Sequence, residues 1–473
     1  MNSRKLFKSL PVACVASLAA ALVVAGCSGG GSASAPITPA VVQGPSFVVG
    51  TDAPMASVVS FSVQIESITA TDQNNNTVQL ISGTPTVDFA RFNGLRTLLD
   101  MNDVNAGSYN NVSVTLGSAT IGYLQTNIGS APTIATMTAS YPQGAATYTY
   151  TTTLNNPIVV ANGGAPVGLH VDFDLRKSIA VDGTGAITGA VTPTFTVDGV
   201  GTSDPGAYID CFDAAVVSVN TTAQSFVVQG PHGRQFTVNV SGQTEWENNE
   251  SLSDLTAGSS IVTLSGTLDR ADATIDADDV AILSQDGFYA GGQITYVQPA
   301  TGPATSFDLY VRGLLPTTTG LSLGQIATVD LSGNEKYFIY WFHNPLTEFV
   351  FNPSGLLPGQ HVSVGGPATG AANSADVTVK RVVLRDWGFN TSVVANSVNV
   401  ANGTFQVQIN GFAGQLIPQT VTVYTANKTD FRNGLTGVGD LTAGENVRVV
   451  GLLLKDPLSG NTVLLAHYVD ELD

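Results

Sequence analysis

His170, Asp172 and Asp174 alternate with Val171 and Phe173, so an extended backbone sets all three polar side chains on one face. Same-face neighbours on a strand lie about 6.6 Å apart, near enough for the three to converge on a hard cation. The solvated face of a half-buried strand shows the same alternation. A second acidic group, Asp269, Asp272, Asp276, Asp278 and Asp279, lacks the Asp-x-Asp-x-Asp-Gly order of a helix-loop-helix calcium site and reads as a charge-rich turn. The five histidines (His170, His232, His343, His361 and His467) are scattered, with no pair at a metal-binding helical spacing. No glycine-rich phosphate loop opens a helix. Paired carboxylates for glycoside hydrolysis can lie far apart in a chain, and nothing singles out one pair among 36 acids. In Tyr337-Phe338-Ile339-Tyr340-Trp341-Phe342, alternation puts Tyr337, Ile339 and Trp341 on one face and Phe338, Tyr340 and Phe342 on the other. Exposed aromatics stack on sugars, but a strand apolar on both faces is more often buried between layers. These residues assign no catalytic group and no cofactor.

The start of the chain sets where any such chemistry takes place. Arg4, Lys5 and Lys8 precede an apolar run from Leu10 to Val24, the order of a secretory signal, and the run is too short for a transmembrane helix. Val24-Ala25-Gly26-Cys27 resembles a bacterial lipobox. The resemblance implies that residues 1–26 are removed, that Cys27 is lipidated, and, with Ser28 rather than aspartate next, that the anchor lies in the outer membrane. Residues 27–45 are rich in Gly, Ser, Ala and Pro and read as a flexible tether spanning about 20–25 Å. Loss of the signal removes three positive charges and takes the formal charge from −18 to −21. An acidic chain with no basic cluster repels phosphate backbones, so nucleic acid is excluded as a partner. With Cys14 in the signal and Cys27 lipidated, Cys211 stands alone, without an intrachain disulfide or a cysteine zinc site. Its apolar neighbours predict a buried, inert thiol.

Residues 46–200 read as strand after strand. Phe61, Val63 and Ile65 alternate with polar residues, as do Val112, Val114 and Leu116, and then Val167, Leu169, Val171, Phe173 and Leu175. Only Gly94–Met101, with Leu95, Leu98 and Leu99, suggests a short helix. The pattern predicts a β-sandwich ending at the turn-rich stretch from Gly199 to Gly206. Asp52-Ala53-Pro54, Val87-Asp88-Phe89, Ala106-Gly107-Ser108-Tyr109 and Val171-Asp172-Phe173-Asp174-Leu175 occur in an order that resembles the bacterial lipoprotein domain of unknown function 4382. That resemblance implies a fold and a location and no chemistry.

The C-terminal half repeats itself. Thr244-Glu245-Trp246, Thr347-Glu348-Phe349 and Thr429-Asp430-Phe431 are each followed by Ala257-Gly258, Pro358-Gly359 or Ala443-Gly444. An apolar strand ending in glycine comes next: Ile261 to Gly266, Val362 to Gly365, Val447 to Gly451. Short paired strands around a tight corner suggest small closed barrels of OB-like type, over 207–285, 287–385 and 387–473. The units resemble the domain of unknown function 5666, found in tandem in secreted bacterial proteins. Bulk and apolarity persist at Trp246, Phe349 and Phe431, which predicts that these rings fill barrel cores while the preceding acids point outward.

The expected protein is therefore all-β, an N-terminal β-sandwich followed by three tandem small β-barrels. The expected role is that of a non-enzymatic, lipid-anchored envelope protein with a structural or interaction (binding or adhesion) function. Its expected partners are the membrane, through the lipid, and an envelope polysaccharide or protein. A carbohydrate-binding module array and a carboxylate-based hydrolase are the alternatives.

Overall fold

Alternation becomes burial along Val58–Asp72, where Phe61, Val63 and Ile65 are buried and Ser60, Ser62 and Gln64 half-exposed. This strand pairs antiparallel with Gly107–Gln125, placing Val63 opposite Ala119 and Ile68 opposite Val114. The computed structural model describes residues 43–53, 58–91, 97–125, 133–162, 167–182, 186–200, 208–229, 233, 235–269, 274–316, 320–340, 349–367, 376–409 and 419–472. Almost all of them lie in strands or the turns between strands, and the fold is all-β.

Two sheets form the N-terminal sandwich. One runs Thr77–Gln79, Val58–Asp72, Gly107–Gln125, Thr133–Thr138, with Thr86–Asp88 and Tyr148–Val160 also paired to its central strands. The other runs Phe195–Val200, Val167–Asp174, Gln43–Ala53, Thr97–Asn105. Phe173 is the centre of the core between them. Its ring lies 5.0 Å from Phe61, 5.0 Å from Phe89 and 4.8 Å from Phe195. Burial of each such side chain contributes about 1.5–3 kcal/mol.

The helix expected around Gly94–Met101 is not there: Thr97–Asn105 is a strand, antiparallel to Gln43–Ala53 with Phe47 opposite Met101, and 94–96 fall outside the described residues. A helix this short is marginal by itself, and a neighbouring strand offers the same backbone groups a complete ladder. Among the described residues the α-helix that forms is Leu175–Ser178, so Leu175, expected to extend its strand, instead opens a helical turn. Asp174 caps it, its carboxylate accepting from the Lys177 N–H at 2.9 Å.

Tyr208–Asn220, Ser225–Gln229, Gln235–Asn239, Thr274–Ser284 and Ile261–Asp269 pair in that order, and the last returns to the first. This is a closed five-strand barrel whose one parallel step joins Gln235–Asn239 to Thr274–Ser284. Trp387–Val393, Thr404–Ile409, Gln419–Tyr424, Thr462–Glu471 and Asn446–Lys455 make the same circuit, again with one parallel step. Between these two barrels Gly287–Gln298, Ser306–Leu315 and Ile326–Asp330 follow the same order. There the closing strand is split into Asp376–Thr378 and Arg381–Arg385, and His361–Pro367 leads back to the start. Closure removes the unpaired edges that so short a sheet would otherwise expose.

The repeated residues each make the same contact. Gly258, Gly359 and Gly444 have φ of 76°, 94° and 79°, a left-handed turn that glycine adopts without penalty. Their N–H groups donate to the opening strand of each unit, at Val216 O (2.8 Å), Ile294 O (2.7 Å) and Val393 O (2.8 Å). A following side chain then closes the turn: Ser260 Oγ, Gln360 Oε1 and Glu445 Oε2 accept from the N–H of Thr256, Leu357 and Thr442 at 2.8, 2.8 and 2.6 Å. Thr244 and Thr429 donate to Ala277 O and Ala466 O, each at 2.7 Å. Thr347 lies outside the described residues.

Gly451 sits at a bulge where a Cβ would fall 2.1 Å from the Leu465 carbonyl oxygen. Backbone cannot retreat as a side-chain tip can, so Gly451→Ala is expected to cost about 1–3 kcal/mol. Gly437→Ala, with nothing within 4 Å of its added Cβ, serves as the control. A lower urea midpoint in the first variant alone is the expected result.

The repeated aromatics are less deeply placed than their pattern suggests. Trp246 and Phe431 are half-buried at the rims of their cores, Trp246 packing on Phe226 at 6.4 Å between centroids. Phe349 is buried, but against Tyr424 of the last barrel at 5.6 Å. Leu452, Leu454, Val463 and Leu465 of that barrel share its cluster, so the middle and last cores are continuous. Glu245 and Asp430 point outward as alternation demands. Residues 42–473 form one compact unit.

Candidate functional site

Charged residues inside an apolar strand need partners, and Val382-Val383-Leu384-Arg385-Asp386-Trp387 holds two in succession. Arg385 lies on the closing strand of the middle barrel and is 2% exposed. Its two terminal nitrogens each lie 2.9 Å from an oxygen of Asp213, on the opening strand of the first barrel. Tyr289 Oη also donates to Asp213, at 2.5 Å, and Thr263 Oγ1 and Ser363 Oγ accept from the guanidinium at 3.0 and 3.2 Å. Burial works against the charge of Arg385, but Asp213 overcomes it and holds the guanidinium protonated. Tyr340 lies beside this pair, wholly buried, its hydroxyl 3.0 Å from Ser265 Oγ.

The next residue extends the junction to the last barrel. Asp386 Oδ2 is 2.9 Å from His467 Nδ1, and the Asp386 carbonyl is 3.0 Å from His361 Nδ1. Burial first, and then the charge of Arg385, push His361 down to about 3, so its ring is neutral and donates to that carbonyl. Arg312 stacks over Trp387 at 4.6 Å and donates to Ala90 O of the sandwich at 2.8 Å. Cys211, expected to be buried, is half-buried, and it packs where the first barrel meets Val450 and Tyr468 of the last.

A cleft of about 420 Å³ opens between the first and middle barrels. One wall is the turn Trp246-Glu247-Asn248-Asn249, and the other is built from Tyr337-Phe338-Ile339 and Phe349-Val350-Phe351. Asn248 and Asn249 both have left-handed backbone, φ 58° and 59°, which asparagine tolerates better than other side-chain-bearing residues. Two polar atoms here are buried without a hydrogen-bond partner, Asn248 Nδ2 and Tyr337 Oη. The Tyr337 ring packs edge-on to Phe351 at 5.6 Å, and burial pushes its phenol well above the ordinary range. The two-faced aromatic strand is as alternation suggests: Tyr337 and Ile339 pack on the middle core, Phe338 and Tyr340 on the seam with the first barrel. Arg381 lies 3.9 Å over Phe338 and pairs with Glu250 at 2.6 Å. Trp341, Phe342 and His343 fall outside the described residues.

The acidic group of the first barrel divides. Asp276 is exposed and accepts from Asn239 Nδ2 at 3.0 Å, and Asp272 is outside the described residues. Asp279 is 5% exposed, with Oδ1 unpartnered. Burial chiefly, then the charges of Glu247, Glu245, Asp386 and Asp278, push its carboxyl up to about 9, so it holds a proton at neutral pH. His170, Asp172 and Asp174 share a strand face as expected, but Asp174 is committed to its helix cap and to Lys177 at 3.3 Å. Among the described residues no three His, Cys, Asp or Glu side chains gather as a metal would require. His232 lies outside them.

Reading the sequence missed Arg385, Asp213, Asp386 and Asn248 as site residues. The signal for the first three was a charge set within a strand pattern otherwise apolar; Asn248 had none.

Residues 48–188, most of the sandwich, match the family described as Domain of unknown function (DUF4382). No curated protein matches the chain. The family description names no activity, and the side chains of the buried ion pairs and the cleft lie beyond the matched span.

Proposed function

We propose that this chain is a non-enzymatic, lipid-anchored protein of the bacterial outer membrane, acting as a binding or structural body of a sandwich and three tandem barrels of the domain of unknown function 5666 type. The observation that carries this reading is what its buried charges do. Arg385 with Asp213 and Arg381 with Glu250 join one barrel to another, and the hydrogen bond between His467 and Asp386 adds a third link. Charges arranged this way rigidify an assembly, and rigidity suits a body that presents a surface. The tether, expected to reach residue 45, stops short of the strand that opens at Gln43, so residues 27–42 then set the reach from the membrane.

Each buried methylene of an acyl chain contributes about 0.8 kcal/mol, so several chains on Cys27 hold the protein where one would not. Cys27→Ala is expected to move the protein from the detergent phase to the soluble envelope fraction. A variant that stays in the detergent phase rules out the anchor. The second reading, a carbohydrate-binding array, is favoured by one observation, the aromatic cleft between the first two barrels.

A further inference from the structure

We infer that the sandwich and the barrels are latched into one rigid body at two points, and that Tyr310 and Arg312 of the middle barrel form the second latch. Two domains joined by a turn-rich stretch such as 201–207 ordinarily move about it unless a well-packed apolar interface holds them. The first hold lies at the end of the sandwich where the chain enters. Val200, the last residue of Phe195–Val200, stands opposite Gly168, which in turn stands opposite Phe47. Its side chain is buried in the core of the first barrel, the cluster that holds Ile209 and Phe212. One such hold still permits rotation.

The second hold lies at the other end, where Ala53 closes one strand and Val58 opens the next. From Phe47 to Ala53 the strand advances about 20 Å. Tyr310 is buried against Val59 and Ile134 of the sandwich, and Ser60 hydrogen-bonds its hydroxyl. Val59 is 1% exposed yet lies outside the core of its own sandwich, so it owes its burial to the barrel that covers it. Arg312 is the extra residue of a bulge, with Gly291 opposite Gly313 and Gly292 opposite Val311. A bulge re-aims its side chain, and this one is aimed at the sandwich. The guanidinium donates to Ala90 O at 2.8 Å, while the rings of Trp387 and Tyr310, 4.6 and 5.7 Å away, hold it in place. Held at both ends, the sandwich does not swing on 201–207. In the lipid-anchored protein proposed above, the pivot is then the tether ahead of Gln43, and sandwich and barrels turn together. This consequence rests on that reading, and the latch does not.

The test uses residues 28–473 with Cys211→Ser, so that dyes attach only at Asn74→Cys, in an exposed turn of the sandwich, and Asn334→Cys, in an exposed loop of the middle barrel. Single-molecule energy transfer between them is expected to give one narrow distribution. Arg312→Ala removes the donor from the barrel side, and Ile134→Asp sets a charge against Tyr310 from the sandwich side. Each should shift the mean and broaden the distribution about twofold or more, since a single hold leaves rotation free. Far-ultraviolet circular dichroism checks that both variants fold. Should Arg312→Ala fail that check, Ile134→Asp decides alone, because Ile134 lies on the edge strand Thr133–Thr138 and belongs to this contact rather than to a sandwich or barrel core. A parent distribution as broad as the variants' overturns the latch, and so does one that stays equally narrow in both. Neither result bears on the anchor, which Cys27→Ala tests separately.

Discussion

Replacing Arg385 with methionine is expected to lower stability by about 3–5 kcal/mol, the cost of leaving a buried carboxylate without its cation. Asp213 would keep the hydrogen bond from Tyr289 and lose both guanidinium contacts at 2.9 Å. Thr263 and Ser363 would lose their donors as well. Asp213→Leu should be damaging for the converse reason, since it strands the guanidinium. The double variant Asp213→Leu/Arg385→Met is expected to recover part of the loss, because no charge is left unpaired, while Tyr289, Thr263 and Ser363 still lose the partners this pair gave them. The urea midpoint measures all three. A single Arg385→Met change costing under about 1 kcal/mol would mean that water reaches this pair and that it does not hold the barrels together.

Asp279→Asn should stabilise the protein at neutral and alkaline pH, and the gain should disappear in acid. The folded chain holds the Asp279 proton up to about pH 9, whereas an unfolded aspartate releases it near pH 3.9. Between those limits the folded state binds the extra proton, so stability falls as pH rises through the window. Each unit of pH in the window is worth at most about 1.4 kcal/mol. Water entry and relaxation reduce the sum, and we expect about 2–3 kcal/mol between pH 5 and pH 8. Asparagine has nearly the same shape and no proton to release, so it lacks this slope. His361, held neutral, has the opposite sign, with stability lost as pH falls toward about 3. It is common to both proteins and cancels in their difference. Melting curves that stay parallel from pH 5 to pH 9 would show that Asp279 is ionised in the fold.

Local periodicity was sufficient for the strands of this protein. Phe61, Val63 and Ile65, or Val167, Leu169, Val171 and Phe173, alternate because one face of each strand is core, and the chain records that directly. The recurrent Gly258, Gly359 and Gly444 were legible for a related reason. Each carries out a backbone task, a left-handed turn with an N–H aimed at the opening strand, which tolerates little else at that position. Where two local outcomes were close in energy, a distant partner decided. Leu98 and Leu99 suit either a helix or a strand, and the pairing of Thr97–Asn105 with Gln43–Ala53 chose the strand. The repeated aromatic followed the same rule, since Phe349 is buried against Tyr424 of the neighbouring barrel. The sites belong wholly to tertiary structure. Arg385 and Asp213 are 172 residues apart, and the cleft joins Asn248 to Tyr337 across two barrels. Periodicity reports which face of a strand is buried. Only the packing of whole barrels determines what it is buried against, and so which polar atoms are left unpaired.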